Sequence, residues 1–470
     1  MNTFHNAKII ATMWPALDKE TVLSKIINNV DTFRINLTHG DEETKKKYIK
    51  MVMKLDSSKT IMLDTRGPEV RTRNKEELVL KKGQELPIEH AEFFKDSFDT
   101  LYIDYNQTEN VPEGTILNID NESVVVEVKK SKSGKLIGKV LKEWLVLINR
   151  HIDFEGYIPE LPYMGEKDKR HIVRGIEHNV NTISVSYIKE PSNIAEIRDF
   201  LRTVDGEHLR IVAKIETLDA IKNLKWIIES ADGIIINWKK LLILADEKKA
   251  LKIKKDAIKY CHTIGKPLIR NTDMNVASKK EFKKHAEIIR EKISEWIDAF
   301  MLTRDSAIAE DPIENVFKLY EIINEEGIPT VTDYSLKNVN ISPDSIISDY
   351  IAYNAYRASK ELPIKAIICP TESGYTAARL AALKPEVPII AFTKNDVAYR
   401  YLNLLRWVKG YKIADTFEYT NIKQVGKEII RILFKWNISL DDKILIVHSS
   451  LEQNKAGMIN GMELYKFKDI

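Results

Sequence analysis

The sequence contains little cysteine. Only Cys261 and Cys369 occur in 470 residues, and they lie far apart. That count gives no disulfide framework and no zinc-ligand spacing, and it suits a reducing cytoplasm. No apolar run approaches the roughly 20 residues that a membrane span needs, and the N-terminus lacks the basic-then-apolar order of a secretory signal. We therefore expect a cytoplasmic protein with no membrane partner.

An excess of charge of either sign is also absent. Lysine and arginine number 72 against 69 aspartate and glutamate residues, a formal net charge of +3. Such a balance predicts no nucleic-acid partner and no membrane-binding surface. Charged residues make up 30% and hydrophobic residues 44% of the chain, as is usual in globular proteins. The length predicts about two to four domains.

The stretch at residues 209–238 organises the rest of the chain. It begins with a short apolar run at 210–213, typical of a strand buried on both faces, and Lys214 and Glu216 follow at the end of that run. Apolar residues at helical spacing and a second apolar run at 231–237 complete a strand–helix–strand unit. A lysine and a carboxylate at the C-terminal end of such a strand lie where parallel α/β proteins place their chemistry.

Strand and helix signals alternate along most of the chain. Further runs typical of buried strands occur at residues 7–12, 32–36, 60–64, 182–186, 266–271 and 299–302. In the intervening region, strand signals follow one another without helices. The predicted fold class is α/β, with a (β/α)8 TIM barrel that carries the chemistry, an inserted all-β lid domain and a C-terminal doubly wound α/β domain. The predicted boundaries are 1–71 and 160–345 for the barrel, 72–159 for the lid and 346–470 for the C-terminal domain.

Short motifs occur in order along the whole chain. They are KIIAT at 8–12, RINLTHG at 34–40, DTRGPEVR at 64–71, AKIE at 213–216, KPLIRNTDM at 266–274 and TESGYT at 371–376. Each is similar to a motif of the pyruvate kinase family. The resemblance implies transfer of a phosphoryl group from phosphoenolpyruvate, or a close analogue, to ADP, which gives pyruvate and ATP in glycolysis. It also implies Mg²⁺ and K⁺ as cofactors and a homo-oligomer, a tetramer or a dimer.

The same resemblance implies roles for the matched residues. Arg34 and Lys214 would contact the transferring phosphoryl group, and Arg71 would face the phosphate region. Thr272 would lie beside the proton that is delivered to the enolate carbon. His39 would lie near the nucleotide.

The resemblance also implies metal ligands and an effector site. Glu216 would be a ligand of Mg²⁺, and Glu69 is the residue type found in potassium-dependent members. The implied ligands of K⁺ are Asn36, Thr38, Asp64 and Thr65. In the C-terminal domain, a loop would bind an effector phosphate through Thr371, Ser373, Gly374 and Thr376. A plain helix N-cap is an equally weighted interpretation of this loop.

The match fails at the second magnesium ligand. The family has an aspartate of an RGDLG motif where this chain has Lys240, and an ammonium group repels Mg²⁺, which prefers oxygen ligands. Three interpretations stay open. The protein is a pyruvate kinase in which Asp246 or Asp273 supplies the missing oxygens, or Lys240 replaces the cation and the site acts on another phosphorylated or enol/keto acid. In the third, catalysis is lost and the chain is a ligand-binding or regulatory homologue.

Plainer interpretations apply to single residues. A Lys-x-Glu pair at a strand end, such as Lys214 with Glu216, is by itself an ion pair at a barrel mouth. Arg34 and Arg71 are by themselves compatible with ordinary surface residues. The motif context favours the functional interpretation, because the carboxyl ends of barrel strands are where sites lie.

Overall fold

We analysed a computed structural model of the chain, which divides into two compact units. One unit is Met1–Arg66 together with Lys167–Ile470, and the other is Gly67–Glu166. The structure describes residues 7–38, 40–93, 99–120, 123–130, 136–157, 159, 161–277, 279–325, 346–414, 422–433, 439, 441–448 and 461–469.

The first unit opens with three parallel strands. Every residue of these strands except Asn36 is buried, because a strand covered on both faces needs apolar side chains on both. The second helix is capped by Asp41, whose carboxylate accepts a hydrogen bond from the Thr44 N–H at 2.8 Å. The elements are β1 (Lys8–Thr12), α1 (Glu20–Ile26), β2 (Thr32–Asn36), α2 (Glu42–Leu55) and β3 (Thr60–Asp64).

The second unit is built from strands. They are β4 (Val70–Arg71), β5 (Leu78–Leu80), β6 (Glu85–His90), β7 (Leu101–Ile103), β8 (Ile116–Ile119), β9 (Val124–Lys130), β10 (Leu136–Lys142), β11 (Trp144–Val146) and β12 (His151–Glu155). Seven of them form a sheet in the order β4-β12-β8-β9-β10-β6-β7, and β11 pairs with β5. Along β9 the side chains of Val124, Val126 and Val128 are buried in alternation with partly exposed neighbours. This pattern is typical of a sheet with one face on a core.

The first unit resumes after the inserted strands. Its further elements are α3 (Glu166–Glu177), β13 (Thr182–Val185), α4 (Pro191–Arg202), β14 (Arg210–Ile215), α5 (Leu218–Lys222), α6 (Leu224–Ser230), β15 (Gly233–Ile236), α7 (Trp238–Leu244), α8 (Glu247–Ile264), β16 (Leu268–Thr272), α9 (Lys279–Ser294), β17 (Ala299–Leu302), α10 (Arg304–Ala307) and α11 (Pro312–Glu325). The parallel strands close into a barrel in the order β1-β17-β16-β15-β14-β13-β3-β2. The predicted eight-stranded barrel is confirmed.

The C-terminal part is a second α/β layer structure. Its elements are α12 (Ile346–Glu361), β18 (Ile364–Pro370), α13 (Tyr375–Ala382), β19 (Ile389–Thr393), α14 (Asp396–Tyr401), β20 (Val408–Lys412), α15 (Ile422–Leu433), β21 (Lys443–His448) and β22 (Gly461–Lys466). The sheet order is β20-β19-β18-β21-β22, with only β22 antiparallel to its neighbour among these described strands. Alternate residues of β18 enter two different cores, which include α12 and α13 on one face and α15 on the other. The predicted α/β domain is confirmed.

The barrel and the C-terminal sheet share one hydrophobic core. Ile10, Met62 and Ile235 of the barrel belong to the same buried cluster as Ile367 and Ala377. The predicted domain boundaries stay a prediction, and the one at 345/346 borders residues 326–345, which lie outside the described residues. Among the described residues, no helix is both long and apolar enough to cross a membrane.

Candidate functional site

Charged side chains meet at the carboxyl ends of the barrel strands. Arg34 on β2 donates through Nε to Asp64 Oδ2 at 2.8 Å, and its Nη2 contacts the same oxygen. Lys214 on β14 places its Nζ 3.2 Å from Asp64 Oδ1 and 3.7 Å from Glu216 Oε1. The Lys214 side chain is 11% exposed, and the side chains of Asp64 and Glu216 are each 2% exposed. The strand ends therefore hold a buried cluster of alternating charge.

Hydroxyl groups complete the hydrogen bonding of this cluster. The Ser184 hydroxyl donates to Asp64 Oδ1 at 2.7 Å, and Lys214 Nζ donates to the Ser186 hydroxyl at 2.9 Å. Thr12 Oγ1 accepts from Arg34 Nη1 at 2.9 Å. These three hydroxyl residues were not among the predicted site residues. Their signal is a hydroxyl at the end of β1 and two alternating serines at the end of β13, since alternating residues of a strand lie on one face.

Burial and neighbouring charges shift the pKa values of these groups in opposite directions. Burial would raise the pKa of Asp64, but Arg34 and Lys214 lower that pKa to about 2. Burial likewise would raise the pKa of Glu216, and Lys214 with Lys240 bring it below its usual value. Burial disfavours the Lys214 ammonium, yet Asp64 and Glu216 outweigh it and raise the pKa of Lys214. All three groups therefore stay charged at neutral pH.

Lys240 reaches the same cluster from α7. Its Nζ lies 3.6 Å from Glu216 Oε2 and donates to the Tyr187 hydroxyl at 2.8 Å. The Tyr187 N–H donates to the other carboxylate oxygen, Glu216 Oε1, at 3.2 Å. The structure thus brings Lys240 to Glu216, and Tyr187 contacts both. Tyr187 was not among the predicted site residues, because nothing in its local sequence pattern indicates these contacts.

Comparison with known families identifies the family of the chain. A family model described as "Pyruvate kinase, barrel domain" matches residues 4–316, and one described as "Pyruvate kinase, alpha/beta domain" matches residues 349–465. The chain belongs to the pyruvate kinase family. This confirms the family that the sequence motifs predict.

Named pyruvate kinases are similar to nearly the whole chain. The one from Bacillus licheniformis is 28% identical over 481 residues, which is 98% of this chain and 80% of the relative. The one from Clostridium perfringens (strain 13 / Type A) is 26% identical over 473 residues, which is 98% of this chain and 99% of the relative. The one from Clostridium acetobutylicum is 28% identical over 468 residues, which is 97% of this chain and 98% of the relative.

Pyruvate kinases generally use Mg²⁺ and K⁺, and Mg²⁺ does not fit the residues at the predicted site. The ion takes oxygen ligands at about 2.0–2.1 Å in near-octahedral geometry. Both carboxylate oxygens of Glu216 face an ammonium group, that of Lys214 at 3.7 Å and that of Lys240 at 3.6 Å. A dication at Glu216 would therefore have two cationic side chains as close neighbours.

The two aspartates considered as replacement ligands have other partners. The Asp246 carboxylate caps α8 by accepting from the Lys249 N–H at 2.9 Å, and Asp273 accepts a hydrogen bond from the Thr303 hydroxyl. Within the described part of the chain, no group of three or more histidine, cysteine or acidic residues is arranged to hold a metal ion. The geometry therefore does not support Asp246 or Asp273 as a replacement ligand of Mg²⁺.

The predicted potassium ligands carry the kinds of oxygen that this ion takes, but both oxygens of Asp64 already contact a cationic side chain, Oδ2 that of Arg34 and Oδ1 that of Lys214. Asn36 and Asp64 end neighbouring strands and are paired in register, and Thr38 and Thr65 follow them in the chain. Amide, hydroxyl and carboxylate oxygens are the ligands that hard cations prefer. The Asn36 Oδ1 accepts from the Thr38 N–H at 2.9 Å, and Thr65 Oγ1 accepts from the Ser186 N–H at 3.3 Å. The role of these residues stays a prediction.

The remaining predicted catalytic and binding residues are Thr272, Arg71 and His39. Thr272 is buried at the end of β16, two strands along the barrel from β14. Arg71 belongs to the second unit, where its Nε donates to Glu69 Oε2 at 2.6 Å and its Nη1 to the Asn149 carbonyl at 2.9 Å. His39 lies outside the described residues. The roles of all three functional candidates, Thr272, Arg71 and His39, stay predictions.

The predicted effector loop precedes α13. Gly374, at a φ of +84°, is the residue before the helix, and its N–H donates to the Thr371 hydroxyl at 3.0 Å. The Ser373 hydroxyl accepts from the Tyr375 N–H at 3.4 Å, and Thr376 is buried in the first turn. Hydroxyls thus accept from the N–H groups of Gly374 and Tyr375, but the N-cap residue Gly374 makes no side-chain cap bond to α13. Both interpretations of the loop stay predictions.

Proposed function

We propose that the protein is a pyruvate kinase-type phosphotransferase with an altered metal site. It would bind phosphoenolpyruvate, or a close analogue, at the carboxyl ends of the barrel strands and transfer its phosphoryl group to ADP. The observation that carries the proposal is the Lys214 ammonium, whose side chain is only 11% exposed and which lies 3.2 Å from Asp64 and 3.7 Å from Glu216. A cation already fixed where negative charge develops stabilises a phosphoryl-transfer transition state without rearrangement.

Each side chain of the site would have a separate role. Arg34 and Lys214 would bind the phosphoryl oxygens, while Asp64 orients both cations through contacts at 2.8 and 3.2 Å. Thr272 would place the water that delivers a proton to the enolate carbon. Arg71 would bind phosphate and His39 would contact the nucleotide.

A bound K⁺ would add positive charge beside the phosphoryl group. Its ligands would be Asn36, Thr38, Asp64 and Thr65. We also propose a homo-oligomer, a tetramer or a dimer, in keeping with the family, and an effector phosphate at the loop of Thr371, Ser373, Gly374 and Thr376.

A second candidate function has one observation in its favour. Lys240 lies 3.6 Å from Glu216, where the family has a carboxylate for the divalent ion. The protein would then act on another phosphorylated or enol/keto acid, or bind such a ligand as a regulatory homologue without turnover. Both candidate functions require an anionic ligand, because both use the same cationic side chains of the charged cluster.

A coupled assay tests the proposal. Pyruvate formation from phosphoenolpyruvate and ADP is followed through lactate dehydrogenase with Mg²⁺, with Mn²⁺ and with EDTA, each in K⁺ and in Na⁺. We expect ADP-dependent pyruvate formation that falls at least ~100-fold in Lys214→Met and is unchanged in Lys248→Met, since Lys248 is exposed in the first turn of α8. Folded protein that forms no pyruvate in any of these conditions would exclude the kinase. A thermal shift with phosphoenolpyruvate would then separate the ligand-binding candidate from loss of the site.

A further inference from the structure

Lys240 is held in one position by three contacts. Its ammonium donates to the Tyr187 hydroxyl at 2.8 Å and lies 4.1 Å from the centre of the Tyr187 ring. The same ammonium lies 3.6 Å from Glu216 Oε2. A hydrogen bond, a cation–π contact and an ion pair together restrict a long side chain that is otherwise flexible. Lys240, with 36% of its side chain exposed, therefore places its ammonium beside Glu216 at the carboxyl ends of the barrel strands.

The residue that holds Lys240 has an unusual backbone. Tyr187 has a φ of +57°, a conformation that bulky residues other than glycine rarely adopt. In this conformation its N–H donates to Glu216 Oε1 at 3.2 Å while its hydroxyl accepts from Lys240. Strained backbone persists where surrounding contacts enforce it, often at functional sites. Here the strain accompanies the joint positioning of Glu216 and Lys240.

The side chains of the cluster carry a net positive charge without a metal ion. Replacing a carboxylate by an ammonium at position 240 adds two positive charges, which is the charge of one Mg²⁺. With Lys240 present, three cationic side chains face two carboxylates, which leaves one positive charge for an anionic ligand. The substitution thus restores by a side chain the charge that a divalent ion brings.

We propose that Lys240 replaces the divalent ion of the family, so that the site binds its phosphorylated acid through ammonium and guanidinium groups and takes up no Mg²⁺ at Glu216. The ligand part of this inference rests on the proposed function, whereas the metal part does not. Lys240 would contact the oxygens of the ligand that the ion otherwise contacts, and Tyr187 would act as a positioning residue.

Uptake of Mn²⁺ by the full-length protein, followed by electron paramagnetic resonance, tests the metal part directly. We expect no Mn²⁺ at this site in the unchanged protein or in the control Lys248→Asp, an equal charge change at an exposed lysine. Lys240→Asp should gain one bound Mn²⁺, and the added change Glu216→Gln should remove it. Should Lys240→Asp not fold, Lys240→Asn offers an oxygen ligand of similar size for the same measurement.

Calorimetry with phosphoenolpyruvate tests the ligand part. The unchanged protein should bind it equally, within two-fold, in EDTA and in Mg²⁺. Lys240→Gln should bind at least ten-fold more weakly in both, and Lys240→Asp should bind only with Mg²⁺. Tyr187→Phe should weaken binding less than Lys240→Gln does.

Two results would overturn the inference. One is Mn²⁺ bound by the unchanged protein and lost in Glu216→Gln, and the other is a folded Lys240→Asp variant that gains no Mn²⁺. A protein that binds no phosphoenolpyruvate in either condition contradicts the proposed function, and the Mn²⁺ result still decides the metal part.

Discussion

Asp64 is the residue on which the charged cluster depends, and Asp64→Asn tests this. A pKa lowered from 3.8 to about 2 corresponds to about 2 kcal/mol of stability at neutral pH. Because the folded pKa lies below the unfolded one, this contribution is complete above about pH 4 and is lost as the pH falls towards 2. The substitution also leaves the buried Arg34 guanidinium without its carboxylate. We therefore expect the free energy of unfolding to fall by roughly 3–5 kcal/mol at pH 7.

Urea unfolding of the unchanged protein and Asp64→Asn between pH 7 and pH 2.5 measures this effect. The difference between the two proteins should shrink by about 2 kcal/mol over the acid range, since protonation removes the same charge. Asp199→Asn is the matched control, because Asp199 forms an exposed pair with Arg202 and should change stability by less than ~1 kcal/mol. A difference that is independent of pH, or one below ~1 kcal/mol at pH 7, would refute the reasoning.

Three further predictions concern Lys214 of the same cluster and two residues elsewhere in the first unit, Gly265 and Arg406. Lys214→Met should lower kcat for pyruvate formation at least ~100-fold in the coupled assay, and an unchanged kcat would contradict its role. Gly265→Ala should lower the free energy of unfolding by about 1–2 kcal/mol, because Gly265 has a φ of +74° and a Cβ there would lie 2.9 Å from Arg379 Cδ. Urea unfolding that shows no loss of stability would argue against this backbone conformation. Arg406→Met should lower the free energy of unfolding by about 1–3 kcal/mol in the same measurement, because Arg406 is buried and the substitution removes the hydrogen bond that its charged Nη1 donates to the Ile293 carbonyl at 2.7 Å. Stability equal to that of the unchanged protein would show that this arginine is dispensable.

The barrel was predictable because its strands are covered on both faces. Such strands need unbroken apolar runs, and the runs at 32–36 and 60–64 coincide with β2 and β3 as the structure has them. Strand ends were less predictable where polar residues continue the run. The run at 231–237 contains β15 only from Gly233 to Ile236, and β16 extends to Thr272 beyond the run at 266–271.

The contacts of the candidate site were predictable only where the two residues lie at the end of the same strand. Lys214 and Glu216 are two residues apart, so they face the same side of one strand end, and their ion pair follows from that spacing. The contacts of Tyr187 depend on a positive φ and on the separate element α7, which carries Lys240. Local periodicity carries no information about such a contact, because it joins residues of two different strand–helix connections.

Binding of phosphoenolpyruvate to the unchanged protein and to Lys214→Met, measured by isothermal calorimetry, tests the central claim that the cationic cluster holds an anionic enol acid. We expect a saturable complex with the unchanged protein and at least ten-fold weaker binding to the variant. Equal affinities, or no binding by the folded unchanged protein, would contradict it.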